Sequence, residues 1–228
     1  MTNTVRIEGL FAGRAEELWP DKPPSAIRKV PVEAPVEIGA HGLIGDAQAD
    51  LNVHGGPEKA LHHYPAEHYP AWCAELDRSD LVPGGFGENI STKGMTETSV
   101  CIGDIFTLGS ATVQISQGRQ PCWKLNAHTG DDRMAWRFQK SGRTGWYYRV
   151  LSPGKVQPGD TLKLVDRPHP DWTVKSVTIA RLSRKVTPED AAVLADMSEL
   201  AEGWRLAFAR MAQGDLREDV RGRLQLPS

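Results

Sequence analysis

The sequence predicts an α+β protein that is mainly β: a β-barrel or sandwich followed by a small C-terminal three-helix bundle. Three observations predict it. Short alternating runs divided by turn residues fill roughly the first 165 positions. Glycine and proline together (22 plus 16) make 38 of 228 residues, about 17% against a usual ~12%, as many turns would require. From about residue 172 the apolar spacing becomes helical and capping residues appear.

The strands can be taken in order. Val5-Arg-Ile-Glu-Gly-Leu alternates, as does Ile27-Arg-Lys-Val-Pro-Val, and Val36-Glu-Ile stops at Gly39 before turns at Gly42 and Gly45. Ile105-Phe-Thr-Leu meets Gly109, after which Ala111, Val113 and Ile115 share one face. Trp146 to Leu151 and Thr161 to Val165 close the series, with Pro153-Gly and Pro158-Gly-Asp as turns. No helices alternate with these runs, which argues against a parallel sheet. Two helices interrupt them. Tyr69, Trp72, Cys73 and Leu76 form one apolar stripe, which Pro70 should start or kink, and 131–140 forms another that stops at Gly142. In the last section Thr173, Thr187 and Ser198 are each placed to cap a helix, the third carrying Leu200, Trp204, Phe208 and Met211. The expected division is a barrel over 1–168, three helices over 172–216 and a loose tail over 217–228. A bundle that small needs to pack on the barrel or on a partner.

Composition excludes several classes. Hydrophobic residues are 39% of the chain, enough for a core and too many for a disordered protein. The net charge of −2 offers no chain-wide field for nucleic acid or anionic lipid. Three cysteines without a Cys-x-x-Cys pair suit neither a disulfide framework nor a zinc ribbon. The first residues lack the apolar core of a signal peptide, and no apolar run approaches the ~18 residues of a membrane span. A cytoplasmic protein with no membrane and no nucleic-acid partner is expected.

Chemistry concentrates in Gln117-Gly-Arg-Gln-Pro-Cys-Trp-Lys-Leu-Asn126, read as a loop at a strand end. Arg119 and Lys124 flank Cys122, and nearby cations favour the thiolate, the form that attacks electrophiles and binds metals. Residues 117–149 hold seven Arg or Lys against two Asp, a local +5. An anionic ligand bearing a soft metal fits such a loop; so does a packing cysteine beneath a solvated basic face. Cys73 and Cys101 read as small core hydrophobes. His54, followed by two glycines, lies in a loop open to close ligand approach, while His62 and His63 read as barrel or surface residues. Glu88 and Asn89 follow Pro83-Gly-Gly-Phe-Gly and are turn residues unless that loop faces Cys122. Lys22 and Ser25, three apart before a strand, can hold a phosphate. Neither Gly-x-Gly-x-x-Gly nor a Gly-x-Ser-x-Gly elbow is present.

Taken in order, Lys22-Pro-Pro-Ser-Ala-Ile, Gly45-Asp46, Val53-His-Gly-Gly-Pro, His63-Tyr-Pro, Phe86-Gly-Glu-Asn-Ile, Gly103-Asp-Ile-Phe, the segment around Cys122, Thr144-Gly-Trp and Pro153-Gly-Lys resemble the MOSC domain, and within it the YiiM type. The resemblance spans about 5–165, and the final helices resemble the three-helix unit that often follows. It implies a β-barrel holding a molybdenum cofactor (a pyranopterin) at its open end, with Cys122 as molybdenum ligand. It also implies Lys22, Ser25, His54, Arg119 and Lys124 as candidate cofactor-binding residues, and Asn89, Gln117 and Asn126 as pterin or loop-ordering donors. Gly118 departs from the Gln-Pro-Arg-x-Pro-Cys pattern of the family.

The activity the resemblance implies is reduction of N-hydroxylated small molecules, such as hydroxylaminopurine-type bases, to amines. Three cysteines cannot build a four-thiolate iron–sulfur cluster, so a separate flavin or iron–sulfur reductase is expected to supply electrons. A cofactor carrier, storage or sulfur-transfer protein needs the same residues, and a metal-free cysteine nucleophile is a third reading. The three-helix unit could serve a homodimer or the reductase.

Overall fold

A computed structural model describes residues 4–49, 55–218 and 220–224. Seven strands close into a barrel: β1 (Thr4–Ala12), then β5 (Leu61–His63), β6 (Ile90–Thr92), β7 (Ile105–Leu108), β8 (Ala111–Gly118), β9 (Trp146–Ser152) and β11 (Thr161–Asp166). Around the ring the order is β1-β11-β7-β8-β9-β5-β6 and back to β1. Neighbours are antiparallel except β5 and β6, which run parallel at His63 and Ile90. Closure depends on Val5 pairing with Leu162, residues from opposite ends of the barrel sequence. Short β2 (Val30–Pro31) extends β1, while β10 (Gly154–Val156), β3 (Val36–Gly39) and β4 (Gly42–Leu43) form a separate three-stranded sheet. The strand expected over 27–32 shrinks to β2 because Pro31 has no N–H to continue a ladder.

Alternation explains the filling. Ile7, Phe106, Val113, Ile115, Trp146, Tyr148 and Leu162 are fully buried inside. Gln114 and Ser116 on the other face of β8 are buried too, as is Gln117, which follows a bulge in the β8–β9 ladder. The helices after the barrel are α4 (Val174–Ser183), α5 (Pro188–Asp196) and α6 (Glu202–Ala212). Thr173 and Thr187 cap the first two as expected, accepting hydrogen bonds from the Ser176 and Asp190 N–H groups. Ser198 caps nothing: α6 starts after Ala201, whose own N–H is taken by the Ser116 carbonyl at 2.9 Å. Val177, Leu194, Trp204 and Phe208 share one apolar core with the barrel. The three helices therefore do not stand alone.

A second, aromatic core sits at one end of the barrel. It joins α1 (His68–Leu76), α2 (Trp123–Thr129) and α3 (Met134–Ser141) to the glycine-rich loop before β6. Pro70 lies in the first turn of α1, where its missing N–H leaves no helical bond unmade. Tyr69 stacks on Phe86 at 4.9 Å and Trp72 on Phe138 at 5.4 Å. The segment read as a loop through Asn126 is helical from Trp123, and the helix expected over 131–140 is offset to Met134–Ser141. Within the segment expected as a loose tail, the described residues include a helix, α7 (Val220–Leu224), whose Leu224 is buried in this core. Among the described residues no helix is long and apolar enough to cross a membrane.

Candidate active site

Strand β8 and helix α2 create the site between them. The ladder with β9 ends where Gly118 pairs with Trp146, and the Arg119 N–H extends it by one bond to the Gly145 carbonyl, 3.1 Å. The chain then crosses the barrel mouth and Cys122 takes the cap position of α2 with extended backbone (φ −139°). Cys122 is half-buried and, among the described residues, no disulfide joins the three cysteines.

Cys122 lines an open cleft. Lys29, Lys59, Arg119 and Lys124 line it against one described carboxylate, Asp46. Arg119 is buried and donates from Nη1 to the Phe86 carbonyl at 2.6 Å. That carbonyl is held in place by Glu88. The Glu88 carboxylate, wholly buried, accepts the N–H groups of Gly84 (2.6 Å) and Phe86 (3.1 Å) and the Tyr69 hydroxyl (2.5 Å). Gly84 can donate there because it adopts φ +92°, a conformation glycine takes without strain. Burial pushes the Glu88 carboxyl above its ordinary range, and those three donors pull it back.

On the opposite wall Lys29 pairs with Asp46, both side chains under 10% exposed (6% and 7%). Burial lowers the Lys29 ammonium below the usual lysine range while Asp46 opposes it. The Asp46 carboxylate also accepts the Gly13 N–H at 2.7 Å and the Asn89 amide at 2.9 Å. Asn89 in turn donates to the Phe11 carbonyl at 3.2 Å and accepts the His62 N–H at 3.0 Å. Its side chain is fully engaged, so Asn89 ties β1, β5 and Asp46 together. His62 is buried; burial first, and the Arg119 guanidinium second, hold its imidazole well below the ordinary range. Its Nε2 has no hydrogen-bond partner among the described residues. Tyr147 packs its ring 5.0 Å from His62, and burial raises its hydroxyl above the usual phenol range.

The sequence-derived candidates divide. Cys122, Ser25, Asn89, Arg119 and Lys124 all line the cleft. Lys22 is exposed, with Nζ 5.2 Å over the Trp123 ring and outside the cleft wall. Gln117 is buried beyond it, donating to the Gly118 carbonyl at 3.2 Å. Asn126 orders the turn from α2 to α3, donating to Asp132 at 2.8 Å and accepting from Ala135 at 2.7 Å. His54 lies outside the described residues. Lys29, Asp46, His62 and Tyr147 also line the cleft, although the sequence reading gives Lys29 and Tyr147 only strand positions, Gly45-Asp46 a place in a motif without an assigned role, and His62 a place in the barrel or on the surface.

Comparison with known proteins gives the family. Residues 50–163 match the MOSC domain family. The sequence is 39% identical over 217 residues to protein YiiM of Escherichia coli (strain K12), covering 94% of this chain and 96% of that one. It is 42% identical over 166 residues to a protein named reductase from Gibberella moniliformis (strain M3125 / FGSC 7600), covering 72% of this chain but 29% of that longer protein. The crystal structure of YiiM from Escherichia coli superposes with a TM-score of 0.80 at 32% identity, covering 96% of this chain and 98% of that one. YiiM from Geobacillus stearothermophilus superposes with a TM-score of 0.78 at 30% identity, covering 91% and 99%. Likeness in sequence and in fold along nearly the whole length gives one answer: the chain belongs to the MOSC-domain family.

Proposed function

We propose that the protein is a molybdenum-cofactor-dependent reductase of N-hydroxylated compounds, hydroxylaminopurine-type bases among them, supplied with electrons by a separate flavin or iron–sulfur reductase. One observation carries the reading: a cysteine thiol stands in the wall of a cleft lined by four cations and one described carboxylate. Thiolate sulfur is a soft ligand suited to a thiophilic metal. Burying an anionic cofactor needs cations already in place, since an isolated charge is costly to desolvate. The described residues gather no cluster of three or more His, Cys, Asp or Glu side chains, so a metal here would bring its own further ligands.

In this reading Cys122 ligates the metal, and Arg119 and Lys124 neutralise the cofactor's phosphate. Asp46 already offsets the charge of Lys29, leaving Lys29 to orient through hydrogen bonds. The buried, partnerless Nε2 of His62 gives the bound pterin or substrate a neutral partner. The chemistry the cofactor supplies when bound is a two-electron reduction: N–OH takes up two electrons and two protons and becomes N–H plus water. The protein's share is orientation and charge.

Elemental analysis tests the reading on protein from a host that makes the cofactor. Wild type carries molybdenum and Cys122→Ala does not, and wild type reduces hydroxylaminopurine with a reduced viologen dye. Metal absent from both, after reconstitution as well, overturns it. Metal without turnover identifies a carrier instead, and turnover with NAD(P)H alone removes the separate reductase.

A further inference from the structure

Glu218, Arg223 and Leu224, near the end of the described residues, pack on the cysteine loop. Glu218 lies at the centre of a cationic group. It accepts the Gln120 side-chain amide at 2.9 Å and pairs with Arg181 at 3.4 Å, Arg223 at 3.5 Å and also Arg184. Arg223 then bridges the loop and α3. Its Nη1 donates to the Pro121 carbonyl and its Nη2 to Gln139 Oε1 at 2.6 Å. One residue further, the Leu224 carbonyl accepts the Asn126 amide at 3.0 Å while its side chain is wholly buried beside Leu125 and Met134.

These contacts bracket Cys122. Among the described residues, the backbone of Gln120 and Pro121 makes a single hydrogen bond, the one from Arg223. Pro121 has no N–H to offer the barrel. Between Arg119, tied to Gly145, and Leu125, tied to the Cys122 carbonyl, Gln120 and Pro121 make described hydrogen bonds with the C-terminal segment, through Glu218 and Arg223. A guanidinium that is 15% exposed, bonded to a carbonyl and an amide, makes a strong and directional clamp.

We propose that the C-terminal segment, through Arg223 and Glu218, is a positioning element of the site that fixes the loop carrying Cys122 in the cleft wall. Arg223 is a positioning residue and not a catalytic one. The inference rests on Cys122 being the reactive residue of the cleft, but not on the metal or the substrate.

The test uses the full chain without cofactor. Iodoacetamide alkylation is followed by peptide mass spectrometry that reads Cys73, Cys101 and Cys122 separately, across a pH profile. Rates are compared on the high-pH plateau, where the thiol is fully ionised and the thiolate fraction no longer differs between variants. Arg223→Ala is expected to accelerate Cys122 by about 10-fold or more, the lower end for loss of a charge-assisted hydrogen bond. Cys73 and Cys101 keep their wild-type rates. Arg223→Lys, which retains a donor for the Pro121 carbonyl, restores most of the protection. Gln120→Ala, which releases the loop from Glu218 alone, gives the same selective change and decides the question if Arg223→Ala does not fold. An unchanged Cys122, or acceleration of all three cysteines together, overturns the proposal. Because no cofactor is present, that failure leaves the molybdenum reading standing, and absence of molybdenum leaves this one standing.

Discussion

A Cβ placed on Gly118 would lie 1.9 Å from the Oγ1 of Thr178, on the helix that covers the outer face of β8. Gly118 thus lets α4 pack directly on the strand that leads to Arg119 and Cys122. Gly118→Ala forces a shift there and is expected to cost about 1–3 kcal/mol, the usual penalty of overpacking. The Thr178 hydroxyl is buried without a hydrogen-bond partner among the described residues, so its removal sacrifices no described bond. In a Thr178→Ala background the same glycine substitution should therefore cost less than half as much. A double-mutant cycle by urea denaturation measures this coupling; strict additivity would show that the contact does not set the constraint.

Why glycine stands at 118 could not be read from residues 117–126, since its reason lies 60 positions away on another helix. The strands were legible because alternation is local: Ala111, Val113 and Ile115 declare their face without reference to any partner. The caps at Thr173 and Thr187 were legible for the same reason. Ring closure through Val5 and Leu162 was not, because no local pattern records which strands meet. Cys122, Arg119 and Lys124 stood out by density of reactive groups. The seven-residue helix that Cys122 caps and that carries Lys124 did not, since so short a helix owes its existence to the aromatic core beneath it. Lys29 and Asp46, 17 residues apart, each look like ordinary surface charges until the fold buries them together.

That burial sets the next expectation. Asp46→Ala leaves the Lys29 ammonium enclosed without its carboxylate and deprives the Gly13 N–H and the Asn89 amide of an acceptor. The expected loss is about 3–5 kcal/mol, the range for breaking one partner of a buried pair. Lys29→Met in the same chain removes the stranded charge and should recover much of the loss. Chemical denaturation of the two single variants and the double variant reads it. A double variant no more stable than Asp46→Ala would mean that the amide acceptors, and not the charge, dominate.

Acid stability follows from His63. Its ring is enclosed with Nδ1 3.0 Å from the Tyr148 hydroxyl and Nε2 2.9 Å from the Thr92 hydroxyl, and burial lowers its pKa to about 3. The unfolded chain takes up this proton near pH 6.5, the folded chain only near pH 3. Stability from this group is therefore complete above about pH 6.5 and is lost as the pH falls below it. Between pH 6.5 and 5 the loss is about 2 kcal/mol. His62 acts in the same direction, whereas Glu88, raised by burial, acts in the opposite one. The comparison of wild type with His63→Gln isolates the single group: the variant should lose about 2 kcal/mol less over that interval. Urea midpoints at the two pH values decide it, and parallel pH dependences would reject the assignment.

Lys124 carries the sharpest test of the cleft's charge. It is 6% exposed and, among the described residues, meets no carboxylate, whereas Lys22 is exposed over Trp123 at the edge of the same helix. A buried cation without a counter-charge lowers stability unless a ligand supplies the anion. Lys124→Ala should then raise the unfolding temperature while weakening binding of inorganic phosphate about 10-fold or more, as loss of a charge-assisted contact implies. Lys22→Ala should change neither. Calorimetric titration at fixed ionic strength distinguishes the two lysines, since an anion held only at the rim would respond to Lys22 as strongly as to Lys124. Opposite movement of stability and affinity in Lys124→Ala is the signature of a residue kept for its ligand, because truncating a lysine kept for packing would lower stability and leave phosphate affinity unchanged.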